Sequence, residues 1–233
     1  MSKKIIWILI FFLQLFICCS SDTDVDTTTE EEIKKFSFLA LGDSYTIGQG
    51  VEQNKSWPFQ LRDSLQNTTR KIPQLTVIAK TGWTTSDLIQ AIEQEDPESH
   101  DLVSLLIGVN NQFQNLELSE FQQEFTLLLN TAVSLAGNKN KVIVISIPDY
   151  GVTPFGGGLF GDSVTIAKEL NVYNAYIRQQ CLEQDISFID VTTISRAFQN
   201  APMALAPDNL HPSGFQYSEW VKKILPVAEE ILK

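Results

Sequence analysis

The sequence feature that most constrains the fold is the alternation of five short apolar runs with longer segments of helical pattern. The runs are nearly continuous and rich in leucine and β-branched residues, as expected of strands that are buried on both faces of a sheet. Strands of this kind occur mostly in parallel sheets that have helices on both faces. The predicted strands are Phe36–Leu41, Leu75–Ala79, Leu102–Ile107, Val142–Ile147 and Ser187–Val191.

The segments between these runs have apolar residues at helical spacing and residues typical of helix ends. Ser56 is a typical helix N-cap, and Gly137 is a typical residue after a helix. The pattern therefore predicts a flavodoxin-like, three-layer α/β/α domain with a five-stranded parallel sheet in the order 2-1-3-4-5. The predicted helices are Trp57–Gln66, Ser86–Glu95, Leu118–Ala136, Ser163–Gln184 and Ser213–Leu232.

The first part of the chain differs from this domain in composition. Residues 1–18 contain two lysines and then the apolar stretch Ile5–Ile17, which is too short to span a bilayer and is typical of a signal peptide. Residues 19–33 are mostly polar and acidic, which predicts a flexible tether. We therefore expect the folded domain to occupy residues 34–233.

Two cysteines, Cys18 and Cys19, follow the apolar stretch where a cleavage site is expected. This arrangement resembles the signal of bacterial lipoproteins, in which cleavage occurs before a cysteine that then becomes lipidated. Leu15 favours Cys18 as that residue, whereas the small residue before Cys19 favours Cys19, which we prefer. An ordinary secretory signal with incidental cysteines is the alternative. The resemblance implies an exported lipoprotein that is membrane-anchored, either periplasmic or on the cell surface.

Charge and cysteine content exclude several classes of function. The formal net charge of −11 argues against binding of nucleic acid or of anionic lipid surfaces. The remaining cysteine, Cys181, is expected to be a small buried residue, and with two isolated histidines it gives no zinc constellation. The segment Gly156–Gly161, expected to be a flexible loop, lacks the lysine of a phosphate-binding loop.

Polar residues and glycines follow the ends of the first three predicted strands. Because the carboxyl ends of parallel strands meet at one edge of a sheet, residues far apart in sequence can converge there. A further polar pair, Asp208 and His211, comes from the loop before the last helix. The three strand-end segments are Gly42-Asp43-Ser44, Thr81-Gly82-Trp83 and Gly108-Val109-Asn110-Asn111.

A serine hydroxyl needs a neighbouring base to act as a nucleophile, and the base needs an orienting partner. The chain has two histidines, and His211 has Asp208 three residues upstream. We expect His100, which precedes a strand, to be a solvated loop residue. Gly-Asp-Ser alone is a common capped turn, and Asp208–His211 alone could precede a helix capped by Ser213. Their joint occurrence at strand ends favours nucleophilic catalysis by Ser44.

These segments resemble blocks I, II, III and V of the SGNH (GDSL-type) hydrolase family, in the family's order and at its spacing. The resemblance implies that Ser44 is the nucleophile, that His211 is the general base and that Asp208 orients it. It implies an oxyanion hole formed by the backbone N–H groups of Ser44 and Gly82 and by the side-chain amide of Asn110. It also implies a hydrolase without a metal or an organic cofactor.

One position departs from the family pattern. Block III usually reads Gly-x-Asn-Asp, whereas this chain has Asn111 at the last position. A carboxylate that usually braces this loop is therefore missing. The departure questions the geometry behind the oxyanion hole and leaves the reaction class unchanged.

The resemblance predicts a serine esterase that hydrolyses acyl or acetyl esters of small molecules or carbohydrates through an acyl-enzyme. Two alternatives stay open: a lysophospholipase or thioesterase acting on longer acyl chains, and a catalytically silent lipoprotein that only binds a ligand. Five aromatic residues are candidates for the substrate pocket, although some of them are expected to lie in the core. They are Tyr45, Trp83, Phe113, Tyr150 and Phe155.

Overall fold

The computed structural model describes residues 32–233 except residues 68, 160, 161 and 200. The predicted signal peptide over residues 1–18 lies outside the described residues. Cys18 and Cys19 lie there too, with all but the last two residues of the predicted tether.

The described chain folds around a five-stranded sheet in the order β2-β1-β3-β4-β5, and all pairings are parallel. This confirms the predicted order and the three-layer α/β/α class. The central strand β3 is buried along its whole length, because helices cover both faces of the sheet. The strands are β1 (Lys34–Gly42), β2 (Arg70–Ala79), β3 (Leu102–Leu106), β4 (Val142–Ile145) and β5 (Ser187–Ile189).

Strand β2 begins five residues earlier than its apolar pattern predicts. It lies at the edge of the sheet, where exposed polar residues and Pro73, which has no backbone N–H, are tolerated. The apolar signal therefore marks only the half of β2 that is covered by helices.

All five predicted helices are present, with ends within two residues of those expected. Three further helices of four to six residues, α1, α4 and α7, have no periodic pattern because they are too short to show one. Each of the three follows a strand within three residues. The helices are α1 (Ser44–Ile47), α2 (Trp57–Leu65), α3 (Thr85–Glu95), α4 (Val109–Phe113), α5 (Leu118–Ala136), α6 (Ser163–Gln184), α7 (Thr192–Ala197) and α8 (Gly214–Ile231).

The glycine-rich segment after β4 forms one turn of π-helix over Phe155–Leu159 rather than the open loop expected. A Cβ atom on Gly156 would lie 2.2 Å from the carbonyl oxygen of Tyr150, and one on Gly157 would lie 2.5 Å from that of Gly151. The glycines thus let this turn pack directly on the backbone that precedes it.

His100 is buried, with 4% of its surface exposed, so the expectation of a solvated residue is wrong. Its Nδ1 atom is 2.7 Å from the carbonyl oxygen of Glu98, and its Nε2 atom is 3.2 Å from Oγ1 of Thr76. The ring links β2 to the segment before the amino end of β3, whereas Ser44 follows the carboxyl end of β1. Its position is structural and remote from the candidate site.

Cys181 is buried in α6, as predicted, and burial raises the pKa of its thiol to about 12. Within the described residues, no helix is both long enough and apolar enough to cross a membrane.

Candidate active site

The carboxyl edge of the sheet carries a small cavity of about 140 Å³, which we call the catalytic pocket. Four of the five residues predicted for catalysis and the oxyanion hole line it, each from a different segment of the chain: Ser44, Gly82, Asn110 and His211. The parallel topology explains this convergence, because every contributing segment follows a strand or precedes the last helix at the same edge.

Ser44 is the first residue of α1, directly after β1. The side chain of Asp43 caps this short helix, and its Oδ1 atom accepts a hydrogen bond from the N–H of Tyr45 at 2.9 Å. Ser44 is thereby fixed at a helix start, where backbone N–H groups have no partner within the helix. Among the described residues, the N–H of Ser44 has no acceptor.

The cap residue Asp43, which precedes Ser44, is fully buried. Burial raises the pKa of its carboxyl to about 7, and the hydrogen bond from the Tyr45 N–H opposes this only in part. Within the described structure, its Oδ2 atom has no hydrogen-bond partner. No sequence pattern predicts this environment, because the burial comes from tertiary packing.

Gly82 and Asn110 present donors to the same pocket. The N–H of Gly82 has no acceptor among the described residues, and the residue has a positive φ of 88°, which favours glycine. A Cβ atom there would meet nothing within 4 Å, so conformation rather than space requires glycine. Asn110 donates one Nδ2 hydrogen to the carbonyl oxygen of Trp83 at 2.8 Å, which leaves the second hydrogen for a ligand.

Asp208 and His211 are directly bonded. Nδ1 of His211 is 2.7 Å from Oδ2 of Asp208, and Oδ1 of Asp208 accepts the N–H groups of Leu210 and His211 at 3.0 and 2.9 Å. Burial alone would raise the pKa of Asp208, but the hydrogen bonds from the His211 ring and these two N–H groups outweigh it and lower the pKa. Asp208 therefore stays ionised and leaves Nε2 of His211 free to accept a proton.

A tight hairpin, which we call the catalytic hairpin, holds this pair. Ala206 and His211 close it through a 2.8 Å hydrogen bond from the Ala206 N–H to the His211 carbonyl. Asn209 at its tip has a positive φ of 58°, which asparagine tolerates better than most residues. Ser213 caps α8 immediately afterwards, so the helix-start and catalytic interpretations of this segment are compatible.

The structure shows no hydrogen bond between Ser44 and the His211 ring, although both line the catalytic pocket. Contacts of this kind are often long in the absence of substrate and shorten in the reacting complex. The ring of Tyr45 packs 5.4 Å from that of His211, measured between centroids, which limits how far the imidazole can move.

Asn111 is fully buried and braces the loop that carries Asn110, as an aspartate usually does at this position in the family. Its Oδ1 atom accepts the N–H of Thr85 at 3.0 Å, and its Nδ2 atom donates to Oγ1 of Thr85 at 2.6 Å. The Thr85 hydroxyl in turn donates to Glu124 on α5. The loop that carries Asn110 is therefore joined to the start of α3 by an amide instead of a carboxylate. Sequence reasoning missed Thr85 and Glu124, since only the fold brings them to Asn111.

The aromatic candidates divide between pocket and core. Trp83 is not among the residues that line the catalytic pocket; its ring packs against the core and only its carbonyl reaches the site. Phe113 is 43% exposed at the pocket and makes an edge contact with Tyr150 at 6.0 Å between centroids. The candidates that line the pocket are Tyr45, Phe113, Tyr150 and Phe155. In the part of the chain that the structure describes, no three His, Cys, Asp or Glu side chains are grouped as metal ligands.

Solved structures of esterases and lipases share this fold. An acetylxylan esterase from Geobacillus stearothermophilus is 18% identical with a TM-score of 0.62, covering 85% of this chain and 96% of its own. An esterase from Pseudoalteromonas sp. is 16% identical with a TM-score of 0.61, covering 84% and 98%. An extracellular lipase from Streptomyces rimosus is 21% identical with a TM-score of 0.60, covering 84% and 99%.

A family model described as the GDSL-like Lipase/Acylhydrolase family matches residues 40–217, about three quarters of the chain. This range includes Ser44, Gly82, Asn110, Asp208 and His211. A search of curated protein sequences finds no match. The chain therefore belongs to the GDSL-like Lipase/Acylhydrolase family and is a carboxylic ester hydrolase.

Proposed function

We propose that the chain is a serine esterase. Ser44 is first acylated, and water then hydrolyses the acyl-enzyme. The observation that carries this proposal is the meeting, in one pocket, of Ser44, of two N–H groups without acceptors and of an imidazole held by an ionised carboxylate. This is the set that acyl transfer requires: a nucleophile, its base, an orienting group and donors for the oxyanion.

In the proposed reaction, Oγ of Ser44 attacks the ester carbonyl while Nε2 of His211 accepts the hydroxyl proton. The negative charge that forms on the carbonyl oxygen is stabilised by the N–H groups of Ser44 and Gly82 and by the free Nδ2 hydrogen of Asn110. The bond to the leaving oxygen then breaks, and His211 gives its proton to the alcohol. Water, deprotonated by His211, releases the carboxylic acid and restores Ser44.

The proposed acyl group is short. The catalytic pocket of about 140 Å³ holds the volume of about five water molecules, at ~30 Å³ each. This space fits an acetyl or slightly longer acyl group, and a longer chain would extend out of it. The fold is shared with an acetylxylan esterase and equally with a lipase, so the preference for acyl or acetyl esters of small molecules or carbohydrates over the lysophospholipase and thioesterase alternatives rests on the size of this pocket.

We further propose that the chain is exported and anchored to a membrane by a lipid on Cys19, with Cys18 as the alternative. The support is the sequence alone: the short apolar stretch, the cysteine pair and the acidic segment that follows. Such an anchor would leave the hydrolase domain beyond the membrane surface.

The direct experiment is hydrolysis of p-nitrophenyl acetate by Ser44→Ala beside a matched variant, Ser104→Ala. Ser104 is also buried, lies on β3, and its hydroxyl has no partner among the described residues. We expect Ser44→Ala to lose about 10³-fold or more in kcat, and Ser104→Ala to retain activity. A wild-type protein that folds but hydrolyses no ester in a series of acyl lengths would instead favour the silent ligand-binding lipoprotein.

A further inference from the structure

A second cavity of about 340 Å³ lies beside the catalytic pocket and holds none of the groups that take part in the proposed reaction. It is bounded by the loop after β4, the start of α6, the end of α7 and the catalytic hairpin. Three residues line both spaces and form the wall between them: Tyr45, Tyr150 and Leu210.

The hydroxyl of Tyr45 is an unpartnered polar group at this wall. The residue is 3% exposed, and its ring lies between those of His211 and Trp220. The hydroxyl makes no hydrogen bond to any described residue, and Asp149 and Tyr150 line the second cavity together with Tyr45. The Tyr45 hydroxyl is therefore available to form a hydrogen bond with a molecule bound in either space.

The second cavity presents a neutral surface. Asp149 is the only charged side chain among its described lining residues, and Nε of Arg196 lies 2.8 Å from its Oδ2 atom. Its other oxygen accepts the N–H of Gly151 at 2.9 Å, so the carboxylate is fully bonded. A charged ligand would find no counter-charge here, whereas a neutral ligand pays no such penalty.

The same cavity combines flat apolar surfaces with free amides. The side chains of Gln199 and Asn209 line it and make no hydrogen bonds to described residues. Apolar ring surfaces beside hydroxyl and amide groups suit a molecule whose ring has both C–H faces and hydroxyl edges. The apolar ring surfaces come from Pro148, Pro154, Pro202, Pro212, Tyr150 and Phe198.

The position of the second cavity relative to His211 indicates whether it would hold the acyl part or the alcohol part of an ester. The leaving alcohol must lie on the histidine side, because His211 gives it a proton. His211 itself lines the catalytic pocket, but Leu210 and Pro212, its two neighbours in the chain, line the second cavity. The donors Gly82 and Asn110, which face the carbonyl oxygen, line only the catalytic pocket.

We propose that the second cavity binds the alcohol part of the ester, and that this alcohol is a neutral, hydroxyl-rich ring about the size of one sugar unit. The proposal rests on the proposed esterase function. The cavity has the volume of about eleven water molecules at ~30 Å³ each. One sugar unit has about the same number of non-hydrogen atoms, so a single unit would fit. The acyl group then occupies the catalytic pocket, and the Tyr45 hydroxyl bonds to the alcohol.

The test compares two esters of the same acid, p-nitrophenyl acetate and methyl 6-O-acetylglucoside, and measures binding of the free alcohol, methyl glucoside, by calorimetry. Ala201→Phe adds a ring at the lining of the second cavity. Ala197→Phe makes the same change at an exposed position on α7 that lines neither space. Tyr45→Phe removes only the unpartnered hydroxyl. Circular dichroism verifies that each variant is folded.

We expect Ala201→Phe to lower the ratio of kcat/KM for the sugar ester to kcat/KM for the p-nitrophenyl ester about tenfold or more, and to weaken methyl glucoside binding by a similar factor. Ala197→Phe should match the wild type in both. Tyr45→Phe should weaken methyl glucoside binding about fivefold, the loss typical of one hydrogen bond.

An unchanged ratio and unchanged binding in Ala201→Phe would overturn the proposal. So would a shift of Ala201→Phe toward shorter acyl chains in a p-nitrophenyl ester series, because the cavity would then hold the acyl group. A wild type that binds methyl glucoside but hydrolyses neither ester would refute the esterase function and leave the cavity as a sugar-binding site.

Discussion

At the scale of single residues, the site depends on polar side chains whose partners come from distant segments. The amide of Asn111 both accepts from and donates to Thr85, which a carboxylate cannot do. Asp43, by contrast, has one capped oxygen and one without a partner. The residue types at both positions were visible in the sequence, but whether each is satisfied depends on the fold. Each environment leads to a prediction.

Asn111→Asp should destabilise the protein even though it restores the residue usual in the family. An aspartate keeps the acceptor for the Thr85 N–H but loses the donor to the Thr85 hydroxyl, and it places a second carboxylate near Glu124. We expect a loss of about 1–3 kcal/mol in the free energy of unfolding at pH 7, measured by urea denaturation. The control is Asn140→Asp at an exposed position. Equal stability of Asn111→Asp and wild type would show that the amide is not required.

Asp43→Asn should change how stability depends on pH. The pKa of Asp43 is raised from 3.8 to about 7 in the folded protein, so the folded state retains a proton that the unfolded state loses. The stability that this proton contributes is complete below pH 3.8 and is lost as the pH rises through about 7. Asparagine stays neutral and keeps the acceptor for the Tyr45 N–H.

We therefore expect Asp43→Asn to gain stability relative to wild type between pH 4 and pH 8, measured by urea denaturation at several pH values. Asp63→Asn, a change at a more exposed aspartate, controls for the loss of a carboxylate in general. Parallel pH curves for wild type and Asp43→Asn would mean that Asp43 has an ordinary pKa in the folded protein.

At the scale of elements, the strands and long helices were predictable because each strand contains a continuous apolar run and each long helix a periodic apolar pattern. The order of the sheet followed from the usual topology of five such strands. The first half of β2 and the helices α1, α4 and α7 were not predictable, since their residues are polar or too few to show a period. Contacts between elements, such as the ion pair that joins α7 to the loop after β4, cannot be predicted without knowledge of the fold.

That ion pair joins Arg196 to Asp149, whose carboxylate is completely buried. Arg196→Met should cost about 3 kcal/mol in the free energy of unfolding, because it leaves a buried charge without its partner. The double variant Asp149→Asn/Arg196→Met should recover much of this loss, since asparagine retains the acceptor for the Gly151 N–H.

Thermal or urea denaturation of the two single variants and the double variant measures the coupling between the pair. The control is Arg178→Met, which breaks a more exposed ion pair with Asp190 and should cost less than about 1 kcal/mol. Additive effects of the two changes would contradict the account of a buried, paired charge.

At the scale of the whole molecule, the sequence predicted which residues would converge but not what surrounds them. The strand-end rule placed Ser44, Gly82 and Asn110 at one edge, and the structure finds them in one pocket with His211. The second cavity has no sequence signature, because its walls come from loops whose shapes depend on packing. His100 was misjudged for the same reason: a loop position gave no sign that its ring is buried.

The lipoprotein proposal concerns the full chain and is tested there. When the chain is expressed in a bacterial host, wild-type protein should fractionate with membranes. Each methylene of the lipid that is buried in the bilayer contributes about 0.8 kcal/mol to binding. Changing both Cys18 and Cys19 to serine should release the protein and leave its esterase activity intact. Cys181→Ser is the matched control and should stay with the membranes. A double variant that remains membrane-bound would show that the first segment holds the protein without a lipid.

Covalent labelling shows directly whether Ser44 becomes acylated. Wild-type protein and Ser104→Ala are treated with a fluorophosphonate, digested, and mapped by mass spectrometry, together with Ser44→Ala and His211→Ala. We expect a single labelled residue, Ser44, in wild type and Ser104→Ala, no label in Ser44→Ala, and much slower labelling in His211→Ala. Label on another serine, or equal labelling of Ser44→Ala and wild type, would contradict this expectation.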